Sequence, residues 1–202
     1  RRQRQMCIRD RGITYLGSFH NGFRQLTNSK HPVTKPEDLK DLKIRVPGSA
    51  VYMGVFNALG ASPTAMSWSE VFTAIQQKTI DGQENGCSVT KSAKMDEIQQ
   101  YMTIWNYSYE NDLFVANSRV WESLDENTRQ LLQECATESC EWGRDHLEAE
   151  EDQLIQGFMD SGMQVDILTE DQLQAFKDAV AGVTADLKTE YGEDACAAFG
   201  IN

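Results

Sequence analysis

The chain has 202 residues, 40% of them apolar, enough for one domain or for parts of two with a sizeable core. With 19 Lys and Arg against 31 Asp and Glu the net charge is −12. A surface that acidic repels phosphate backbones and anionic lipid and argues against nucleic-acid or membrane-surface binding as the main role. No apolar run approaches the roughly 18 residues of a transmembrane helix, and the 9% aromatic and 25% charged content is that of a folded chain rather than a disordered one.

The segment Arg1–Arg11 differs in character from the rest of the chain. It holds five bases and one acid, Asp10, so the remainder carries 14 bases against 30 acids. Such a leader is either a basic arm or an extraneous segment, and it resembles translated adaptor sequence. It lacks the apolar stretch of a secretory signal and is set aside as extraneous. From Gly12 onward the pattern is α/β. Ile13–Leu16 and Phe23–Thr27 read as short strands, and Pro36–Lys40 as a helical turn behind a Thr34 cap. Leu42–Val46 alternates apolar and basic residues, which predicts a strand with Leu42, Ile44 and Val46 on one face. Ser49 then caps a helix through Leu59, which Gly60 stops. Ser67-x-x-Glu70 has the form of a capping box opening a helix to about Lys78.

Asp81–Gly82 predicts a loop, followed by a short helix near Ser92–Gln99 and strands at Tyr101–Trp105 and Leu113–Ala116. Asp125 to about Asp160 repeats apolar residues every three or four positions and predicts one helix about 50 Å long. Its other faces are acidic, and a solvated helix face is the ordinary reading of that charge. Gln164–Leu168 is a further strand, and Thr169-x-x-Gln172 is a second capping box, opening a helix to about Tyr191.

The cysteines (Cys7, Cys87, Cys135, Cys140 and Cys196) are scattered, odd in number and without a Cys-x-x-Cys pair; His20, His31 and His146 stand apart from them. No metal-ligand spacing results, and no metal or cofactor is expected; the thiols read as free and buried. No nucleophile elbow, phosphate loop or dinucleotide fingerprint is present either, so no catalytic residue is assigned.

One basic residue stands where α/β sheets bind ligands. Arg45 lies at the carboxyl end of its strand, just before the helix that starts near Ser49. A planar two-donor guanidinium beside free helix N–H groups suits a carboxylate; the alternative is a surface ion pair. Asp81-Gly-Gln-Glu-Asn85 offers polar side chains to a ligand, or is simply turn chemistry. Trp68, just inside the Ser67 cap, either stacks on a ligand or plugs the core.

The segments Gly22-Phe-Arg-Gln-Leu-Thr-Asn-Ser-Lys30, Pro36-Glu-Asp-Leu-Lys40, Leu42-Lys-Ile-Arg-Val-Pro47, Leu59-Gly-Ala-Ser-Pro63, Ser69-Glu70 and Asp81-Gly-Gln-Glu-Asn85 carry a resemblance. In this order and spacing they resemble the DctP family, the solute receptors of TRAP (tripartite ATP-independent periplasmic) transporters. The resemblance runs from Gly12 to the C-terminus. It implies a type II periplasmic-binding-protein-like α/β fold with two lobes, a ligand cleft between them and a long lobe-spanning helix. By this analogy residues 22–110 and 151–185 form a largely complete ligand-binding lobe. Residues 12–21, 111–150 and 186–202 would be a remnant of the other lobe and a C-terminal tail.

Position by position, the resemblance implies that Arg45 makes a two-pronged salt bridge to the ligand carboxylate. It implies that Asn85 hydrogen-bonds the ligand nearby, that Arg24 faces the cleft as a second arginine, and that Trp68 packs against the ligand. Gly48 departs from the pattern, because some members place a polar ligand contact there. The family also begins with a signal peptide and an N-terminal lobe, and the chain looks like the C-terminal two thirds of such a receptor. The expected function is therefore extracytoplasmic, periplasmic capture of a small organic acid for TRAP permease subunits, without turnover of the ligand. The rival is a periplasmic ligand-sensing domain of a signalling receptor.

Overall fold

The computed structural model describes residues 12–198; Arg1–Arg11, with Cys7, lies outside the described residues. One six-stranded sheet, in the order β3-β2-β4-β1-β5-β6, organises them. The strands are β1 (Ile13–Asn28), β2 (Lys43–Val46), β3 (Ser62–Ala65), β4 (Gly82–Gly86), β5 (Tyr101–Asn117) and β6 (Gln164–Ile167). The helices are α1 (Ala50–Ala58), α2 (Trp68–Gln76), α3 (Cys87–Ser92), α4 (Ser118–Ser123), α5 (Glu126–Asp160), α6 (Glu170–Ala179), α7 (Ala181–Tyr191) and α8 (Glu193–Ala198). Strand β2 runs parallel to β3 and β4, β5 runs parallel to β6, and β1 is antiparallel to both β4 and β5. No helix among the described residues is long and apolar enough to cross a membrane.

Several predicted elements are corrected. The strands expected at Ile13–Leu16 and Phe23–Thr27 are one 16-residue strand, and those at Tyr101–Trp105 and Leu113–Ala116 are one of 17. Bulges carry the ladder through the polar stretches between them. At the bulge beside Arg24, the Gln25 side-chain oxygen accepts the backbone N–H groups of Trp105 at 2.9 Å and Asn106 at 3.1 Å, replacing ladder bonds. Beyond that point β1 and β5 pair mainly with each other and leave the sheet as a two-stranded ribbon.

The loop expected after Asp81–Gly82 is instead the central strand β4, with all five residues buried. Its glycines make that possible: a Cβ on Gly82 would stand 2.3 Å from the Thr27 carbonyl oxygen and one on Gly86 2.6 Å from that of Asn21. Finally, the short helix expected at Ser92–Gln99 begins earlier, at Cys87, and ends at Ser92, with only a 3-10 turn at Met95–Glu97.

Leu42, Ile44 and Val46 are all buried, as the alternation predicts, and join Leu26, Val33, Phe56, Trp105 and Phe176 in the main core. Helix α5 has its 35 residues capped by Asp125, whose carboxylate accepts the Thr128 N–H at 3.0 Å. It packs along β1: Gln133 Nε2 donates to the Leu16 carbonyl at 2.6 Å, and Cys140 fills the space over Gly17. Only a narrow strip of the helix is covered. Ala136, Cys140 and Phe158 are buried, while Leu131, Leu132 and Trp142 are exposed, as are Leu113, Phe114 and Val115 of the ribbon. The Thr169–Gln172 capping box forms, but the helix it opens breaks at Val180 into α6 and α7. Of the described thiols Cys87, Cys140 and Cys196 are buried, whereas Cys135 is exposed, contrary to the uniform burial expected.

Candidate functional site

Strands β2 and β3 each end where a helix begins, so α1 and α2 open at the same edge of the sheet. The first-turn N–H groups of each point out of the helix toward that edge. Neither Ser49 nor Ser67 caps its helix with its side chain. The Ser67-x-x-Glu70 capping box is therefore not formed; the Ser67 hydroxyl lies 3.1 Å from that of Ser69 instead.

Arg45 occupies this edge. Its residue is buried, and Nε donates to the Met66 carbonyl oxygen at 2.9 Å. That bond fixes the plane of the guanidinium and leaves the two terminal nitrogens without a protein acceptor among the described residues. Trp68, half-buried at the start of α2, lies under the guanidinium with its ring centroid 5.4 Å from Cζ. Trp68 also packs on the Val71–Ile75–Met95 cluster, so it serves the core and the site together. Burial and the like charge of Arg24 lower the Arg45 pKa, while the Glu84 charge opposes them; an arginine stays cationic throughout. The result is a desolvated cation with an open, oriented fork.

Asn85 lies near the carboxyl end of β4, the neighbour of β2. Register pairs Arg45 with Gln83, and alternation puts Asn85 on the same face of the sheet as both. Its side-chain oxygen accepts the Gly86 N–H at 3.0 Å, so the amide is held with its NH2 group uncommitted. The structure thus brings Arg45, Trp68 and Asn85 together on adjoining elements.

Arg24 is placed differently. It lies on the other face, where alternation also puts Glu84, and all its donor nitrogens are occupied. Nε donates to Glu84 Oε2 at 2.5 Å and Nη2 to Glu84 Oε1 and to the Glu84 carbonyl at 2.9 Å each; Nη1 donates to Glu110 Oε1 at 2.6 Å. Tyr52 of α1 lies 5.3 Å from its Cζ. Burial works against this charge, yet the hydrogen bond and charge of Glu84, helped by Glu110, hold the guanidinium protonated. Tyr107 donates its hydroxyl to Glu84 Oε2, and burial and the Glu84 charge push that phenol well above its ordinary pKa. Glu84, Tyr107 and Glu110 have no role in the sequence reading. Only the strand pairing that sets Glu84 beside Arg24 would have revealed them.

A mixed α/β sheet with two helix N-termini and an open arginine fork at one end of its parallel strands has the architecture of the type II periplasmic-binding class. Residues 5–190 match the family model DctP, "bacterial extracellular solute-binding protein, family 7", and the chain belongs to that family. It is 32% identical over 180 residues to the 2,3-diketo-L-gulonate-binding periplasmic protein YiaO of Escherichia coli, covering 89% of this chain and 54% of that protein. Two solved structures are TRAP periplasmic solute-binding proteins. One, from Ralstonia eutropha with bound (S)-2-acetolactate, superposes with a TM-score of 0.91 at 33% identity, over 96% of this chain and 63% of the other. The second, from Shewanella oneidensis with bound succinate, gives 0.90 and 32% over the same shares. The chain thus spans little more than half the length of the curated relative, 54% of it.

Proposed function

We propose that this protein is a periplasmic receptor that captures a small organic acid by its carboxylate and delivers it to a TRAP-type membrane permease. The carrying observation is Arg45, whose plane is fixed by Met66 and whose two terminal nitrogens are open beside Trp68. A carboxylate meets that fork with two parallel, charge-assisted hydrogen bonds, and Asn85 supplies an amide donor on the same face. Arg24 supports the cluster from behind, in place of the direct ligand contact expected of it. Capture followed by closure of a second lobe would exclude water and strengthen the ion pair. On this reading residues 22–110 and 151–185 are the ligand-binding lobe, and the β1–β5 ribbon with the first part of α5 belongs to the other. The acids bound by the two structural relatives support an organic acid as ligand, and their description as TRAP periplasmic solute-binding proteins supports transport over sensing. Capture of this kind needs no chemistry on the ligand.

A thermal-shift screen of small organic acids tests the proposal. At a ligand concentration of about 100 times Kd, stabilisation is about 2.7 kcal/mol, a readily measured rise in melting temperature. Rises confined to carboxylates support the reading, and rises given equally by the neutral analogues contradict it.

A further inference from the structure

Resting on the carboxylate-receptor reading, the charge inventory around Arg45 says which acids fit. The charges of Glu84 and Arg24 act on Arg45 from across the sheet, and Arg24 pairs with both Glu84 and Glu110. Both Glu84 oxygens accept from Arg24, and Tyr107 donates to one of them, the pattern of an ionised carboxylate. Every nitrogen of Arg24 is therefore engaged, with four of its five N–H groups donating. Its Nη1, the nitrogen not taken by the fully buried Glu84, is held by Glu110, whose side chain is 25% exposed. Glu110 is itself held in place: Asn21 Nδ2 donates to its second oxygen at 3.4 Å, and Ser88 Oγ donates to the Asn21 side-chain oxygen at 3.1 Å. A first carboxylate finds the free fork of Arg45. A second finds no uncommitted cation in this cluster, only two carboxylates already sharing Arg24.

We propose that the site selects acids with a single carboxylate, carrying hydroxyl or oxo groups elsewhere, over dicarboxylates. Glu110 sets this choice by occupying the Arg24 nitrogen that a second carboxylate would use. Specificity here comes from repulsion of the wrong ligand as much as attraction of the right one. The uncommitted Asn85 amide supplies the neutral recognition that a hydroxyl or oxo oxygen needs.

The test is calorimetric titration of the protein with pairs of equal skeleton: succinamate against succinate, and galactonate against galactarate. In whichever pair binds, the monocarboxylate is expected to bind about tenfold tighter or more, because setting like charges side by side away from water costs at least that factor in affinity. Glu110→Gln, which removes the negative charge competing for Nη1 without changing shape, should shrink that ratio to about threefold or less. Glu110→Asp, which keeps the charge, should retain it. Equal or tighter binding of the dicarboxylates by the parent protein overturns the proposal and leaves the carboxylate receptor standing. A ratio unchanged in Glu110→Gln overturns it too, because Glu110 is then not the selector. Titrating succinamide as the neutral member of the first pair keeps the two readings apart: binding of succinamide as tight as that of either acid contradicts the receptor reading itself.

Discussion

Replacing Arg24 by methionine distinguishes a buried strut from a ligand-facing arginine. In the parent Glu84 is fully buried and takes three hydrogen bonds from Arg24, two on its carboxylate and one on its carbonyl. Methionine matches the length of the stem and supplies none of them, so the Glu84 carboxylate is left in a low-dielectric interior with only Tyr107 as donor. Removing one partner of a buried, hydrogen-bonded pair costs about 3–5 kcal/mol. At about 2–4 °C per kcal/mol for a chain of this size, the melting temperature should fall by roughly 6–20 °C. The assay is thermal or urea unfolding followed by circular dichroism, without ligand. Adding Glu84→Leu to the same variant removes the stranded charge and should restore much of the loss. A fall of less than about 1 kcal/mol in Arg24→Met would refute the reasoning, because a guanidinium kept for a ligand contributes little to the unliganded protein.

Two further outcomes concern buried titratable groups. The Tyr107 phenol is raised above its ordinary pKa of 10.0, so the folded state keeps a proton that the unfolded chain releases. Stability should therefore be intact below about pH 10 and fall as pH rises beyond it. Tyr107→Phe should flatten that decline in melting temperature between pH 9 and 11, and an unchanged slope would contradict the assignment. The Cys87 thiol is pushed up to about 12 by burial and by the Glu151 charge, and a protonated, buried thiol is unreactive. Iodoacetamide mapping at neutral pH should modify the exposed Cys135 well before Cys87; the reverse order would show that the wall around Cys87 opens.

What the sequence disclosed was what local physics decides. Arg45 is legible because its strand, the turn after it and the α1 N-terminus are all adjacent in the chain. Helix α5 is legible because one periodicity runs unbroken through it. The Asp81–Asn85 stretch misled because glycines and polar residues have the composition of a turn. They form a central strand only because Thr27 and Thr90 accept from the Gln83 amide, while Arg24 and Tyr107 donate to Glu84. Of those partners Thr27 and Arg24 lie 56 and 60 residues away in sequence. The true position of Arg24 is set in the same way, by Glu84 and Glu110, which are 60 and 86 residues further along. A capping box shows the same limit. Thr169 and Gln172 form theirs from a local pattern, whereas Ser67 turns to Ser69 and leaves its helix uncapped.

The central claim is that the Arg45 fork anchors a carboxylate, and titration of Arg45→Lys with the tightest acid from the thermal-shift screen tests it most directly. Lysine keeps the charge but loses the planar pair of donors, the bond that fixes their plane on Met66, and the broad contact with Trp68. Arg45→Lys should bind the acid at least about tenfold more weakly, a loss of roughly 1.4 kcal/mol. An Arg45→Lys protein that binds the acid as tightly as the parent would contradict the claim.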